Sequence, residues 1–264
     1  DIPGALQELE RGNLIGAAEI FRRTNTMPEV CGRICPQERL CQGSCVVGHQ
    51  KRDPSAVPVA IGRLEAFVAD HQCVSGGPPP EQQRRRSGRR VAVVGSGPAG
   101  LTVAELLNED GHDVIVYDAW PRPGGILRYG IPRFKLDPSV PQRKIAQLEA
   151  RGVEFMGSTR LGTDITVEGL LAEGCNAVYL GNGAGVGATL NIPGEHLNNV
   201  HQATEFLVRA NVAVQDRPQR LSNPATIGAH TIVVGGGDTA MDCVRSAVRL
   251  VHQQRNGDGS VTCL

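Results

Sequence analysis

Aromatic side chains are scarce in this 264-residue chain, at 3%, and net charge is absent, with Lys+Arg and Asp+Glu both at 27. A balanced chain carries no global electrostatic pull toward nucleic acid or a membrane surface. No apolar run reaches the length of a membrane span, and the charged-then-apolar order of a signal peptide is missing from the front. Eight cysteines are too sparse for a disulfide scaffold at this length. Glycine, by contrast, is abundant at 33 residues. That excess, with so few aromatics, fits an α/β protein whose glycines serve turns and close backbone approach to ligands. Hydrophobic residues, at 40%, suffice for real cores, and the length suggests two domains. The chain opens on Asp1 and stops at Leu264 inside an expected strand, as a piece of a longer polypeptide would.

Three regions follow one another. In residues 1–72, Leu6, Leu9, Leu14, Ala17, Ala18 and Phe21 recur at helical spacing across Ile2–Phe21, and a second helical stretch is expected from Val59 to His71. With no strand pattern, this reads as a small helical domain held by something other than a large core. Residues 73–90 form a linker with Gly76-Gly77-Pro78-Pro79-Pro80 and a run of arginines from Arg84 to Arg90. It reads as semi-rigid and solvated rather than as a phosphate-binding or acid-binding surface.

From Val91 the texture becomes strand, glycine turn, helix, strand. Strands are expected at Arg90–Val94, Asp113–Tyr117, Val153–Met156 and Ala177–Leu180, with helices at Leu101–Asp110 and Val140–Arg151. The unit restarts with a strand at Thr231–Val234, a helix at Met241–Val251 and a strand at Val261–Leu264. Such alternation implies parallel, doubly wound sheets. The expected architecture is a small helical domain, then a dinucleotide-binding domain over 91–222, then the start of a second over 223–264.

The first turn reads Gly95-Ser96-Gly97-Pro98-Ala99-Gly100, a G-x-G-x-x-G between strand and helix. Gly95 permits the turn, Gly97 admits a pyrophosphate, and Gly100 lets helix and strand pack closely. The helix N-terminus offers free N–H groups to the phosphates. Asp118, 23 residues after Gly95, is placed to accept hydrogen bonds from ribose hydroxyls. Gly124-Gly125 follow, and Lys135 adds a cation; on spacing alone, a ligand-side loop and an ordinary Gly/Pro loop stand level. A small-residue crossing, Gly181-Asn182-Gly183, ends a later strand.

The second turn, Gly235-Gly236-Gly237-Asp238-Thr239-Ala240, repeats the arrangement with alanine in place of the third glycine, 140 residues on. Two such turns in one chain point to a reductase that uses a flavin and a nicotinamide dinucleotide together. The residue that separates NADH from NADPH is expected just past Leu264, so both donors stay open.

Cys31, Cys35, Cys41 and Cys45 form a C-x3-C-x5-C-x3-C cluster. Soft thiolates suit an iron–sulfur cluster or zinc. A neighbouring flavin gives a one-electron carrier a task, which favours iron–sulfur over zinc or free thiols. Cys73, Cys175, Cys243 and Cys263 are isolated, as are the histidines.

These residues resemble a known family, the small (β) subunit of bacterial glutamate synthase. Its relatives include the large subunit of NADH-dependent ferredoxin:NADP oxidoreductase and the N-terminal half of dihydropyrimidine dehydrogenase. The matching segments are Pro28–Pro36 with Leu40-Cys41, Pro123–Gly125 through Lys135-Leu136, and Gly235–Cys243. The resemblance implies a helical domain with two 4Fe–4S clusters. Cys45 would serve one, Cys35 and Cys41 the other, with Glu65 as an unusual ligand to that second cluster and Cys31 a non-ligand. It implies FAD contacts from the turn of Gly95, Gly97 and Gly100 and from Asp118, Ile126, Lys135 and Leu161, beside which Gly125 of the loop and Gly183 of the crossing stand as further candidates. Gly236, Gly237, Asp238 and Thr239 would face NADPH or NADH, with Gly235 and Ala240 of the same glycine turn as further candidates.

The implied activity is NAD(P)H oxidation on FAD, with electrons leaving through the iron–sulfur domain to a large catalytic subunit. A ferredoxin-linked or electron-bifurcating oxidoreductase is the alternative, favoured by residues 191–207. A non-catalytic electron wire is a third reading. A cytoplasmic location is expected, and no side chain is assigned a catalytic acid or base role.

Overall fold

The computed structural model describes residues 1–48, 55–76 and 85–264. Gly77–Pro80 and Arg84 of the expected linker lie outside the described residues. The chain clusters into two compact units, Asp1–Gln83 with Lys135–Val140, and Arg84–Phe134 with Pro141–Leu264.

The first unit contains helices α1 (Ile2–Glu10), α2 (Leu14–Arg22), α3 (Pro28–Ile34) and α4 (Ile61–Val74). The periodic stretch Ile2–Phe21 is two helices rather than one. The chain breaks at Gly12, and the Asn13 side chain caps α2 by accepting the Gly16 N–H at 3.0 Å. The period survives because both helices face one core: Ala5, Ala17, Ala18 and Phe21 pack with Ile61 and Val68 of α4. The helix expected at Val59–His71 starts two residues later and runs on to Val74.

Helix α3 was not expected from the sequence; Pro28 opens it at a position where a missing N–H costs nothing. It lies tight against α4, since a Cβ on Gly32 would stand 2.6 Å from the Gly62 carbonyl oxygen. Arg22 ties three helices together, pairing with Glu29 at 2.9 Å and donating from Nε to Gln72 at 2.7 Å.

The second unit holds a four-stranded parallel sheet in the order β3-β2-β1-β4, built from β1 (Arg90–Val94), β2 (Asp113–Tyr117), β3 (Glu154–Met156) and β4 (Ala177–Leu180). Val91 sits between Val114 and Ala177, and Val94 between Tyr117 and Leu180. Val91 to Val94 are all buried, as the unbroken apolar run of a central parallel strand requires. The sheet grows from β1 to β3 on one side and adds β4 on the other. The carboxyl end between β1 and β4 is therefore the topological switch point.

Helices α5 (Pro98–Glu109), α7 (Ser139–Ala150) and α8 (Val167–Ala172) lie along this connectivity, with short α6 (Ile126–Tyr129) and α9 (Ala203–Asn211). A second, two-stranded parallel sheet pairs β5 (His230–Val233) with β6 (Ser260–Cys263) around α10 (Asp238–Arg255). Helix α10 starts straight out of the glycine turn, three residues before the expected Met241. It buries Ala240, Cys243, Ala247, Leu250 and Val251 on one face. Strands β5 and β6 each sit one residue earlier than expected. Among the described residues, no helix is long and apolar enough to cross a membrane.

A buried ion pair ties α7 to α5. The Lys144 ammonium, 2% exposed, donates to Glu105 Oε1, which Arg151 also approaches at 3.5 Å. Removing one partner strands the other charge away from water. Lys144→Met is expected to lower unfolding stability by about 3–5 kcal/mol, and Lys144→Met with Glu105→Leu to recover most of it. Urea denaturation midpoints of the two variants check this.

Candidate functional site

The turn after β1 is shaped by what its glycines meet. Gly95 has φ +100°, and its N–H donates to the Tyr117 carbonyl at 2.7 Å. A Cβ on Gly100 would stand 1.8 Å from the Gly95 carbonyl oxygen, so the helix can start this close to the strand only with glycine there. Gly97, the residue before α5, is different: a Cβ there would meet nothing nearer than the Gly125 Cα at 4.0 Å. No side chain caps α5 at this end, so its first N–H groups and positive dipole end face the gap.

Three segments converge on this carboxyl edge. Gly125 adopts φ +50°, and a Cβ on it would stand 2.6 Å from the Gly97 Cα. Gly181, at the end of β4, donates its N–H to the Val94 carbonyl at 2.7 Å. Gly183 beyond it faces open space.

Ser96 and Asp118 lock two of these segments together. Asp118 is 8% exposed. Its Oδ2 accepts the Ser96 N–H at 2.8 Å and the Ser96 hydroxyl as well. Its Oδ1 accepts the Trp120 N–H at 2.8 Å. The Ser96 hydroxyl oxygen in turn accepts the Gly124 N–H at 2.9 Å. A carboxylate has about four acceptor sites, so three are taken by protein donors and one remains on Oδ1. Ser96 escaped the sequence reading because it occupies a variable position of the motif.

Beyond Gly125, Ile126 stands 59% exposed. Leu161 is half-buried in an isolated parallel bridge with Ile165. Tyr129, also missed, stacks at 4.3 Å on Trp120, and its hydroxyl accepts the Arg122 N–H at 2.9 Å. Burial pushes this phenol up to about 12, so it stays protonated at neutral pH. Lys135 is half-buried and belongs to the first unit.

The second turn repeats the closure of the first. The Gly235 N–H donates to the Leu264 carbonyl at 2.7 Å, as Gly95 does to Tyr117. A Cβ on Gly236 or Gly237 would meet nothing within 4 Å, while Ala240 is buried at the place of the third glycine. Gly237 precedes α10 without a side-chain cap, and Asp238 and Thr239 lie exposed in its first turn. Both turns thus present an open glycine at an uncapped helix N-terminus, the form that admits a dinucleotide pyrophosphate.

In the first unit, Cys31 lies on α3 and Cys35 at its end, and both are half-buried, as are Cys41 and Cys45. Asn25, unremarked in the sequence, joins two of the site's groups. Its Nδ2 donates to Glu65 at 2.8 Å, and its Oδ1 accepts from the Cys31 thiol at 3.5 Å. Burial pushes the Cys31 thiol up to about 11 and raises the Glu65 carboxyl. Backbone N–H groups of Val59, then Val47 and Gly48, hold the Cys45 thiol below its usual range. Soft sulfur with N–H donors aimed at it fits an iron–sulfur ligand. Among the described residues, no three His, Cys, Asp or Glu side chains gather at metal-holding geometry. Cys35, Cys41, Cys45 and Glu65 therefore all belong to the first unit without closing one shell. Of the isolated cysteines, Cys175 and Cys243 are buried and Cys263 is exposed.

Gly97→Ala should leave the unfolding midpoint within experimental error, and should lower flavin content if the first turn holds the flavin as expected from the sequence. Gly100→Ala, which forces a collision inside the protein, should cost about 1–3 kcal/mol or more. Flavin absorbance after gel filtration and thermal unfolding separate the two effects. In protein stripped of iron, iodoacetamide at pH 7.5 is expected to label Cys45 about tenfold faster than Cys31. Peptide mass spectrometry over time reads the ratio.

Comparison with known proteins agrees with this geometry. Residues 1–76 match the family described as dihydropyrimidine dehydrogenase domain II, 4Fe–4S cluster, and residues 89–255 match pyridine nucleotide-disulphide oxidoreductase. The chain is 40% identical over 263 residues to the glutamate synthase (NADPH) small chain of Halomonas elongata, covering 99% of this chain and 53% of the relative. The corresponding chain of Azospirillum brasilense is 39% identical over 267 residues, with 100% and 53% covered. The resemblance to glutamate synthase small subunits is thereby borne out, and the chain spans about half the length of these relatives. Among solved structures, FprA of Mycobacterium tuberculosis in complex with NADPH shares the fold at a TM-score of 0.54 and 24% identity, over 68% of this chain and 43% of that one. With its strand–glycine–helix turns and parallel sheets matched over 89–255, the chain belongs to the pyridine nucleotide-disulphide oxidoreductase family.

Proposed function

We propose that this chain is the electron-input part of an NADPH-oxidising flavoprotein, with FAD on the first glycine turn and NADPH on the second. The observation that carries the reading is the pairing of two open, uncapped turns in a chain that also carries a cysteine-rich front. NADPH is favoured over NADH because the glutamate synthase relatives are named for it.

Bound FAD accepts a hydride and can release its electrons singly, and an iron–sulfur group carries single electrons. The chain's own residues bind and orient. Gly95, Gly97 and Gly100 with the N-terminus of α5 would receive the FAD pyrophosphate, and the remaining acceptor site on Asp118 a ribose hydroxyl. Gly125, Ile126, Lys135, Leu161 and Gly183 complete the proposed FAD set. Gly235 to Ala240 would hold NADPH in the same manner. Cys35, Cys41, Cys45 and Glu65 are the proposed iron–sulfur ligands. We assign residues 1–72 to that helical domain, 91–222 to FAD and 223–264 to the start of the NADPH part.

The proposed acceptor is a large catalytic subunit, in keeping with relatives named as small chains, and the proposed location is the cytoplasm. A ferredoxin-type acceptor is the second reading, and it rests on residues 191–207.

Anaerobic titration of the flavin-loaded protein tests the proposal. NADPH is expected to bleach the flavin bands, with NADH weaker. Flavin bands unchanged by either nucleotide would make the second turn structural and remove the reductase reading. Gly237→Ala is expected to raise KM for NADPH about tenfold, equivalent to about 1.4 kcal/mol, with flavin content unchanged.

A further inference from the structure

A cavity of ≈ 380 Å³ opens beside α9, lined among others by His201, Phe206, Arg209, Asn223, Ala225 and Thr226. Neither glycine turn contributes to it. Helix α9 sets Phe206 and Arg209 three residues apart and so on neighbouring turns of one face. Residues 223–226, on the run into β5, supply the rest of the lining.

The chemistry of the lining is one-sided. Arg209 Nε is buried and has no hydrogen-bond partner. The same guanidinium meets His201 Nδ1 from Nη1 at 3.5 Å. No acidic side chain lines the cavity. Glu205, the nearest acid along α9, is committed to Arg220 at 2.6 Å. Arg217 lies close enough that burial and then the Arg209 charge lower its pKa. Arg209 thus lines a cavity without a counter-charge and carries an orphaned donor, while nearby Arg217, outside the lining, donates to the Val212, Ser222 and Asn223 carbonyls. A buried charged donor left unpaired is costly, and an anion would relieve it.

The Ala225 carbonyl accepts from Gln254 Nε2 at 2.9 Å. Gln254 lies 16 residues beyond Asp238 on α10, about 24 Å along the helix axis. The Ala225 wall therefore lies toward the far end of α10, while His201 lies two residues before Ala203, whose carbonyl accepts from the Cys243 thiol at 3.9 Å.

We propose that this cavity binds a small organic oxyanion, with a carboxylate or phosphate group on Arg209 and a carbon body against Phe206 and Ala225. The guanidinium offers Nε–H and Nη–H side by side, which matches two oxygens of either group. Thr226 and Asn223, both exposed, supply hydroxyl and amide donors at the rim.

Isothermal titration of the flavin-loaded protein with succinate, inorganic phosphate and phenyl phosphate tests this without any need for NADPH oxidation. Saturable binding of at least one probe near one equivalent is expected, weakened about tenfold or more by Arg209→Met with flavin content unchanged. Binding of succinate alone assigns the carboxylate form, and binding of the phosphates alone the phosphate form. Absence of saturable binding by all three probes overturns the proposal, as does unchanged affinity in Arg209→Met. Should that variant fail to fold, Thr226→Val and Asn223→Ala carry the test, and unchanged affinity in both overturns it.

Discussion

The carboxylate of Asp118 is the point at which the cofactor end of the first sheet is tied together. It is buried, and it accepts from Ser96 twice and from Trp120 once. Ser96 passes the connection on by accepting from Gly124. A buried polar network of this kind holds its shape only when each member is satisfied, because a stranded donor or acceptor is expensive. The close approach of Gly125 to Gly97 follows from it: the loop beyond β2 is pulled against the turn beyond β1. The gap at Gly97, the exposed Ile126 and the uncapped start of α5 all take their places from that closure. Trp120 and Tyr129 back it with an apolar cluster shared with Val208 and Val212.

Most of this frame was legible in the sequence, for reasons that can be named. Strand β1 is an unbroken apolar run because neighbours cover it on both sides, and its glycine motif marks where it ends. Helices α3, α6 and α8, of seven, four and six residues, offer too few periods to recognise, and the nine-residue α9 was not expected either. The break at Gly12-Asn13 was present in the sequence as a glycine followed by a capping residue. It was overridden by an apolar rhythm that two helices share by packing on one core. Helix α10 began earlier than its apolar face, since Asp238 and Thr239 are polar yet already helical.

Site residues divide in the same way. Glycines and cysteines announce themselves by spacing, whereas Ser96, Asn25 and Tyr129 act through partners far along the chain. Asp118 was read as a ligand for ribose, and the structure gives it three protein donors as well. In the helical unit, the cysteines are supported by polar contacts that no motif encodes. Asn25 joins Glu65 to Cys31, and Arg22 joins α2 to Glu29 and Gln72. Gly32, one of two glycines within the cysteine motif, lets α3 and α4 touch.

Both dinucleotide turns are closed by the same backbone bond, from the first glycine's N–H to the carbonyl at the end of the next parallel strand. Main-chain atoms make that bond, so drift among side chains does not erase it. The scaffold for each cofactor thus persists independently of the chemistry performed on it. Each turn is closed within its own sheet, so the bond that closes one uses no residue of the other. One chain thus uses the same main-chain latch twice, each copy complete in itself.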